Sequence, residues 1–353
     1  MANEPNFEDI NSYTDDTNKK KKKKKKKRNR HIILKTLICF ISVILIGAGG
    51  LSLYAAHFVF SELNTTVITK DKEELGITEG TVTVENITNI ALFGVDSRST
   101  TSFSGLSDVI MILTIDEIHN TVKMSSILRD SRVYMGDDYS WTSTNYDKIN
   151  HAYSYGGAEY AIKVINQNFN LDIEDYITVN FAYMADIVDY FGGVDIDITS
   201  DEAYYINVHL ISGSNVSTAG GMTHLTGAQA VSFARNRTIG GDEARAERQR
   251  KVLEELILKI QETPVTDYPT MISELSYMVE LSLDATEILA FTPFVAEGFE
   301  ITSASFPDTD IDDAYTDIFE NSASMWSYDL EAAAERMKEF IYEGAEGTEI
   351  TYD

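Results

Sequence analysis

The sequence predicts an α/β layered domain, and three observations predict it. Near-continuous apolar runs, as in "ITNIALFGVD" (87–96) and "DVIMILTID" (108–116), read as central strands covered on both faces. Segments with helical spacing interleave with these runs. Glycine pairs and capping residues then punctuate the helices.

Each element follows in chain order. After the first two strands comes a turn at His119–Asn120, then "TVKMSSIL" (121–128), which is closer to alternation. "GGAEYAIKVINQNFN" (156–170) spaces Tyr160, Ile162, Val164, Ile165 and Phe169 along a helix. "DYITVNF" (175–181) reads as a strand, and "AYMADIVDYFGG" (182–193) as a helix stopped by glycines. "VDIDI" (194–198) alternates as an edge strand does. "TGAQAVSFARN" (226–236) is a short helix. "DEARAERQRKVLEELILKIQE" (242–262) is a long one, with Asp242 expected as its N-cap. After Pro264 only Arg336 and Lys338 are basic, and acids abound. That part reads as helices plus a polar, aromatic-containing stretch without a chemical motif, an acidic extension over 263–353.

The front of the chain is different in kind. Residues 1–31 form a basic tail with nine lysines in an unbroken run, Lys19–Lys27. Residues 32–60 form an apolar run, and Thr36–Ala56 carries no charge. That run is long enough to cross a hydrocarbon core of about 30 Å as a helix. The basic block beside it puts the N-terminus in the cytoplasm and the rest outside. Residues 61–86 are polar and are expected to form a linker or stalk. Cys39 is the only cysteine, so the part expected outside must be stable without a disulfide.

Charge narrows the function. The whole chain carries a formal charge of -27, and from His57 onward 17 Lys/Arg stand against 51 Asp/Glu. Such a domain excludes non-specific nucleic-acid binding. Yet Arg235, Arg237, Arg245, Arg248, Arg250 and Lys251 crowd into seventeen positions. Arginine's planar fork suits bidentate phosphate binding. Arg235 and Arg237 alternate, so an extended backbone would put them on one side. Arg245, Arg248 and Gln249 share a helical face. Arg250 and Lys251 point elsewhere and have glutamates in salt-bridging reach. Asp96 ends one strand and Asp108 begins the next, where two carboxylates can share a cation. "RDSR" (129–132) follows a third strand, and Lys148 and Asn150 add polar groups. His151, His209 and His224 lack metal-ligand spacing. No P-loop, zinc spacing or nucleophile elbow is present. The set favours holding a phosphorylated substrate with Mg²⁺, where electrostatic stabilisation does most of the work.

The segments "LFGVDSR", "SDVIMILTID", "SSILRDSRV", "KINHAYSYGG", "DYITVNF", "VDYFGGVDIDI", "LTGAQAVSFARNR" and "DEARAERQRKVL" occur in this order. Together they resemble the LytR-CpsA-Psr (LCP) family of bacterial cell-envelope proteins over roughly residues 87–260. The resemblance implies an α-β-α catalytic domain over 87–262, with an apolar pocket for a polyprenyl chain. It implies transfer of a glycopolymer (teichoic acid, capsule or similar) from an undecaprenyl-pyrophosphate carrier to peptidoglycan, leaving a phosphodiester. It gives Asp96 and Asp108 to Mg²⁺, with Mn²⁺ as a substitute. It gives Arg98, Arg129, Arg235, Arg237, Arg245 and Gln249 to the pyrophosphate, and Lys148 is read as a further contact to it. Arg129, Asp96 and Asp242 become the catalytic set. A single-pass protein of a Gram-positive-type envelope is implied. A non-catalytic lipid-pyrophosphate binder, or a pyrophosphatase acting on the carrier, is the alternative. Leu106 stands where the family often has Arg, and Leu128 where it usually has Pro.

Overall fold

The computed structural model describes residues 65–97, 102–210, 213–319 and 324–351. The basic tail 1–31, the apolar run 32–60 and Arg98 lie outside the described residues. Among the described residues no helix is long and apolar enough to cross a membrane.

In chain order, β1 (Val82–Thr83) is followed by β2 (Ile87–Val95), β3 (Ser107–Asp116), β4 (Thr121–Ile127), β5 (Arg132–Tyr134) and β6 (Tyr146–Lys148). The helix Ile149–Phe169 leads to β7 (Asp175–Asn180) and the helix Phe181–Tyr190. Next come β8 (Val194–Ile198), the helix Ser200–His209, β9 (Gly221–Leu225), and the helices Gly227–Ala234 and Gly241–Glu262. β10 (Val279–Leu281), β11 (Glu300–Phe306), β12 (Tyr315–Ile318), β13 (Ser324–Ser327), the helix Leu330–Tyr342 and β14 (Thr348–Glu349) complete the larger elements.

The central sheet has the order β10-β7-β2-β3-β4-β11. β3 is antiparallel to both β2 and β4, while β7 runs parallel to β2 and β11 parallel to β4. The apolar runs are therefore the middle strands, and they are continuous because both faces are covered. Ala91, Phe93, Val95, Ile110 and Ile112 face one way, into a core with Ile162, Ile165 and Phe169 of the helix Ile149–Phe169. Met337 and Ile341 of the helix Leu330–Tyr342 join that core. Alternate positions Leu92, Gly94, Val109, Met111 and Val179 face the helices Phe181–Tyr190, Gly227–Ala234 and Gly241–Glu262. This is the expected α/β layering. The β3–β4 turn is held by Asp116, whose carboxylate accepts the Ile118 and His119 amides, and by Asn120 at φ 51°. The helix expected from 156 starts earlier, at Ile149, and kinks at Gly156–Gly157. The edge strand "VDIDI" pairs with β9 in a separate two-stranded sheet.

Two boundaries read from the sequence are not boundaries of the fold. The acidic part after 262 supplies both outer strands of the central sheet, β10 and β11. Phe306 at the end of β11 is fully buried in the main core. The signal was weak because β10 is three residues long and β11 is a largely exposed, polar edge strand. The expected stalk also folds onto the domain from residue 65. Leu75 and Ile77 are buried in the main core, β1 pairs β14, and Thr65 bridges Leu281. Its apolar residues are too irregularly spaced to announce a strand or a helix.

A chain ended at Glu262 is therefore expected not to fold, because two of six sheet strands are lost. Circular dichroism and limited proteolysis check this. A cooperative melt comparable to that of the longer chain would show that the C-terminal part is dispensable.

Candidate active site

β2, β4, β7 and β11 all end at one edge of the sheet, where β3 begins. Ligands of open α/β sheets gather at such carboxyl ends. The β2–β3 register slips between Gly94 and Val95, pairing Gly94 with Val109 and Val95 with Ser107. Asp108 is the extra residue of that bulge. Asp96 follows directly after β2, and its amide donates to the Leu106 carbonyl at 3.3 Å. The bulge thus brings the two aspartates to one place on the sheet edge.

Arginines from three other segments close on these aspartates. Arg129, just after β4, donates to Asp108 at 2.6 Å and lies 3.7 Å from Asp130. Lys148 pairs with the same Asp130 at 3.0 Å. Arg235, at the end of the helix Gly227–Ala234, donates to Asp96 at 3.1 Å and lies 4.9 Å over the Phe181 ring. Arg245 sits 2.8 Å from Asp242, an ion pair whose angles are too poor for a good hydrogen bond. Arg237 is exposed and makes no ion pair among the described residues.

Arg129 and Arg245 set the electrostatics. Their side chains are only 16% and 8% exposed. Burial pushes the Arg245 pKa down, and the neighbouring Arg129 guanidinium pushes it further, against Asp242, Asp108 and Asp130. For Arg129 burial also acts downward, but Asp108, Asp130 and Asp242 outweigh it and hold the pKa above its usual value. Two like charges are thus held together by a ring of three carboxylates. The Nε of each arginine is buried without a hydrogen-bond partner. Buried donors of this kind are uncommon and costly. An anion with several oxygens between the two guanidiniums would satisfy both.

An apolar slot adjoins this cluster. Leu92, Val109, Met111 and Val179 form its sheet wall, and Met184, Val231, Val252 and Leu253 its helix wall. Gly94 is in the wall because a side chain there would lie 2.7 Å from Val109. Gln249 is a polar residue in an otherwise apolar lining. The slot has about 50 Å³ of free volume, room for a few waters but far less than a long apolar chain fills. Flexible Met111 and Met184 in its walls could shift to widen it.

The structure sorts the arginines by job. Arg248 is buried: it pairs with Glu202 at 2.6 Å and donates to the carbonyls of Asn236 and Ile239 at 2.8 Å. It fastens the loop that carries Arg237. Arg250 reaches Ser305 at 2.6 Å instead of a glutamate, while Lys251 makes the expected i,i+4 pair with Glu247. The long helix is capped by Gly240 (φ 76°), with Asp242 in its first turn, because Gly240 and the first helical residue, Gly241, take left-handed backbone where the chain enters the helix. Arg235 is not extended but lies in the right-handed helical region as the C-cap. Arg235 and Arg237 are exposed while Asn236 between them is fully buried. Leu128 donates its amide to the Phe306 carbonyl, a bond that proline at this position would lose. Asp130, Glu202 and Asn236 were missed by sequence reasoning. Only Asp130 had a signal, its place inside "RDSR".

Among the described residues no three His, Cys, Asp or Glu side chains converge as a metal cage. Asp96 and Asp108 offer two carboxylates at most. That donor set fits Mg²⁺, which commonly keeps waters and takes phosphate oxygens for its other positions.

Glu202 gives a prediction. Burial alone would raise its pKa, but the Thr199 amide and Arg248 outweigh that and hold it below the usual value of 4.5. A depressed folded pKa contributes stability above the unfolded value and loses it as pH falls below. Glu202→Gln should cost about 3 kcal/mol at neutral pH. The gap from the unsubstituted protein should shrink below about pH 4.5. Urea melts at pH 7 and pH 3 measure this, and a gap independent of pH would contradict it.

Comparison with known proteins places the fold in a family. The model of the LytR_cpsA_psr family matches residues 54–340. The polyisoprenyl-teichoic acid–peptidoglycan teichoic acid transferase TagU of Bacillus cereus is 32% identical over 236 residues, covering 64% of this chain and 71% of that protein. The corresponding transferase TagV of Bacillus subtilis is 27% identical over 304 residues, covering 84% and 76%. The crystal structure of B. subtilis TagV superposes with a TM-score of 0.57 at 25% identity, covering 73% of this chain and 98% of that one. TagT of Bacillus subtilis, solved with bound octaprenyl pyrophosphate lipid, has the same fold, with a TM-score of 0.54 at 19% identity and coverage of 73% and 91%. A family match spanning most of the chain, on a mixed sheet with an arginine-lined edge, makes this protein a member of the LytR-CpsA-Psr family.

Proposed function

We propose that this protein transfers a teichoic-acid-type glycopolymer from an undecaprenyl-pyrophosphate carrier to a hydroxyl of peptidoglycan. The observation that carries this reading is the pair of buried, like-charged guanidiniums with unpartnered Nε groups beside an apolar slot. An anion bound to an apolar chain is the ligand that satisfies both parts. The named transferase relatives support the same reaction class.

On this reading Arg129 and Arg245 grip the pyrophosphate, and Lys148, Arg235 and Arg237 neutralise its outer oxygens. Arg98, in the same motif as Asp96, is assigned to the same task. Gln249 orients the junction of phosphate and lipid. The acceptor hydroxyl oxygen bonds to the glycan-side phosphorus. The bridging P–O bond breaks, and its electron pair leaves with polyprenyl phosphate. The hydroxyl proton goes to a carboxylate of the cluster, Asp96 or Asp242. Bound to Asp96 and Asp108, Mg²⁺ or Mn²⁺ would supply charge neutralisation and polarisation of the phosphoryl group. The apolar run 32–60 anchors the chain in the membrane, with the basic tail in the cytoplasm and the folded domain outside.

A transfer assay tests this. Full-length protein in detergent is mixed with a lipid-pyrophosphate-linked glycan and a peptidoglycan oligomer, with and without Mg²⁺. Phosphodiester product is expected, falling at least about a hundredfold in Arg129→Ala and in Asp96→Ala. Donor binding without turnover would make the protein a lipid-pyrophosphate receptor. Glycan phosphate released without acceptor attachment would make it a pyrophosphatase.

A further inference from the structure

The ribbon β5–β6 begins inside the site and leads out of it. Its register sets Arg132 opposite Lys148 and Tyr134 opposite Tyr146. These four side chains share one face, because direct partners and alternate residues lie on the same side. The intervening Val133 and Asp147 are buried on the other face. Val133 packs with Ile149 in the core of the helix Ile149–Phe169, across the sheet from the apolar slot. Asp147 accepts from Tyr139 at 2.6 Å and pairs with His151 at 2.8 Å, which fixes the ribbon.

The outward face combines cation and aromatic. The Arg132 guanidinium lies 4.3 Å from the Tyr146 ring centre and 4.8 Å from that of Phe319. It has no carboxylate partner among the described residues. Tyr134 lies 5.6 Å from Tyr146, centre to centre. Tyr146 is 37% exposed. Lys148 ties the inner end to the cluster through Asp130, and Trp326 of β13 donates its amide to the Asp130 carbonyl.

We infer that this face binds the acceptor, the N-acetylated glycan strand of peptidoglycan. The inference rests on the transferase reading. In-line displacement puts the attacking and leaving oxygens on opposite sides of phosphorus. The leaving polyprenyl phosphate departs toward the slot on one sheet face. The attacking hydroxyl then arrives from the other, where the ribbon lies. Tyrosine rings offer flat apolar faces to the C–H faces of pyranose rings. The guanidinium of Arg132, without a carboxylate partner among the described residues, takes the carboxylates of the lactyl-peptide substituents. Lys148 delivers the strand to the phosphate.

The test uses full-length protein in detergent and two soluble probes, a peptidoglycan oligosaccharide carrying its peptides and a neutral N-acetylglucosamine oligomer. Binding of each is followed by calorimetry. Tyr146→Ala should weaken both at least about tenfold, and Tyr146→Phe should restore them. Arg132→Gln should weaken only the peptide-bearing probe. In the transfer assay these variants should raise the acceptor KM with kcat and donor affinity little changed. Weakened binding of a polyprenyl-pyrophosphate-linked glycan would assign the ribbon to the donor and overturn the inference. Unaltered acceptor KM in Tyr146→Ala and Arg132→Gln would also overturn it, leaving the transferase reading intact. Oligosaccharide binding that depends on Tyr146 in a protein without transfer product would keep the ribbon as a glycan site and remove the transferase.

Discussion

Two buried guanidiniums that repel each other are an unfavourable arrangement, and the site is organised around making it tolerable. Arg129 comes from the end of β4 and Arg245 from the long helix, so only the folded sheet brings them together. Burial first, and then repulsion from Arg129, depress the pKa of Arg245. Asp108, Asp130 and Asp242 offset it from three separate segments. Breaking such a buried network by removing one partner costs far more than the pair's net value. The carboxylates leave the Nε donors open. The protein therefore holds its cations in place without spending all of their hydrogen-bonding capacity, and that remainder is what the proposed pyrophosphate would meet.

The same chemistry serves two jobs within seventeen residues. Arg248 and Arg245 lie three apart on one helix, yet only Arg245 is available to a ligand. Arg248 is saturated by Glu202 and two carbonyls, and Asn236 is buried beneath the strap it forms. The saturated arginine fixes the loop on which Arg237 is displayed. A binding arginine needs unspent donors, and a structural one needs none. Partners decide between these roles, and spacing does not.

That distinction marks how far the sequence could be read. The middle strands, the interleaved helices and the strand-end positions of Asp96, Asp108 and Arg129 were legible, because continuous apolar runs and their polar ends follow from burial on both faces. The helical face of Arg245 and Gln249 was legible from periodicity. The division of labour among the arginines was not, since Glu202 is 46 residues from Arg248 and nothing local pairs them. Nor were β10 and β11. A three-residue strand and a half-exposed edge strand carry too little pattern against an acidic background. Asp242 looked like a cap because capping residues precede helices, but a glycine with left-handed backbone took the cap position.

The C-terminal part carries no motif, yet it bounds the site on both sides of the sheet. On the slot side, Ile90, Leu113 and Ile177 continue the wall begun by Leu92, Met111 and Val179, Leu281 of β10 extends it, and Ile288 and Phe294 cover it. On the proposed reading an apolar chain in the slot would run toward these side chains, so residues after 262 would limit the length it buries. On the other side, Phe319 stacks on Arg132, and β13 is joined to the "RDSR" turn through the Ser131–Trp326 bridge. On the proposed reading the motifs would act at the phosphate, and the motifless segment would bound what is attached to it in either direction.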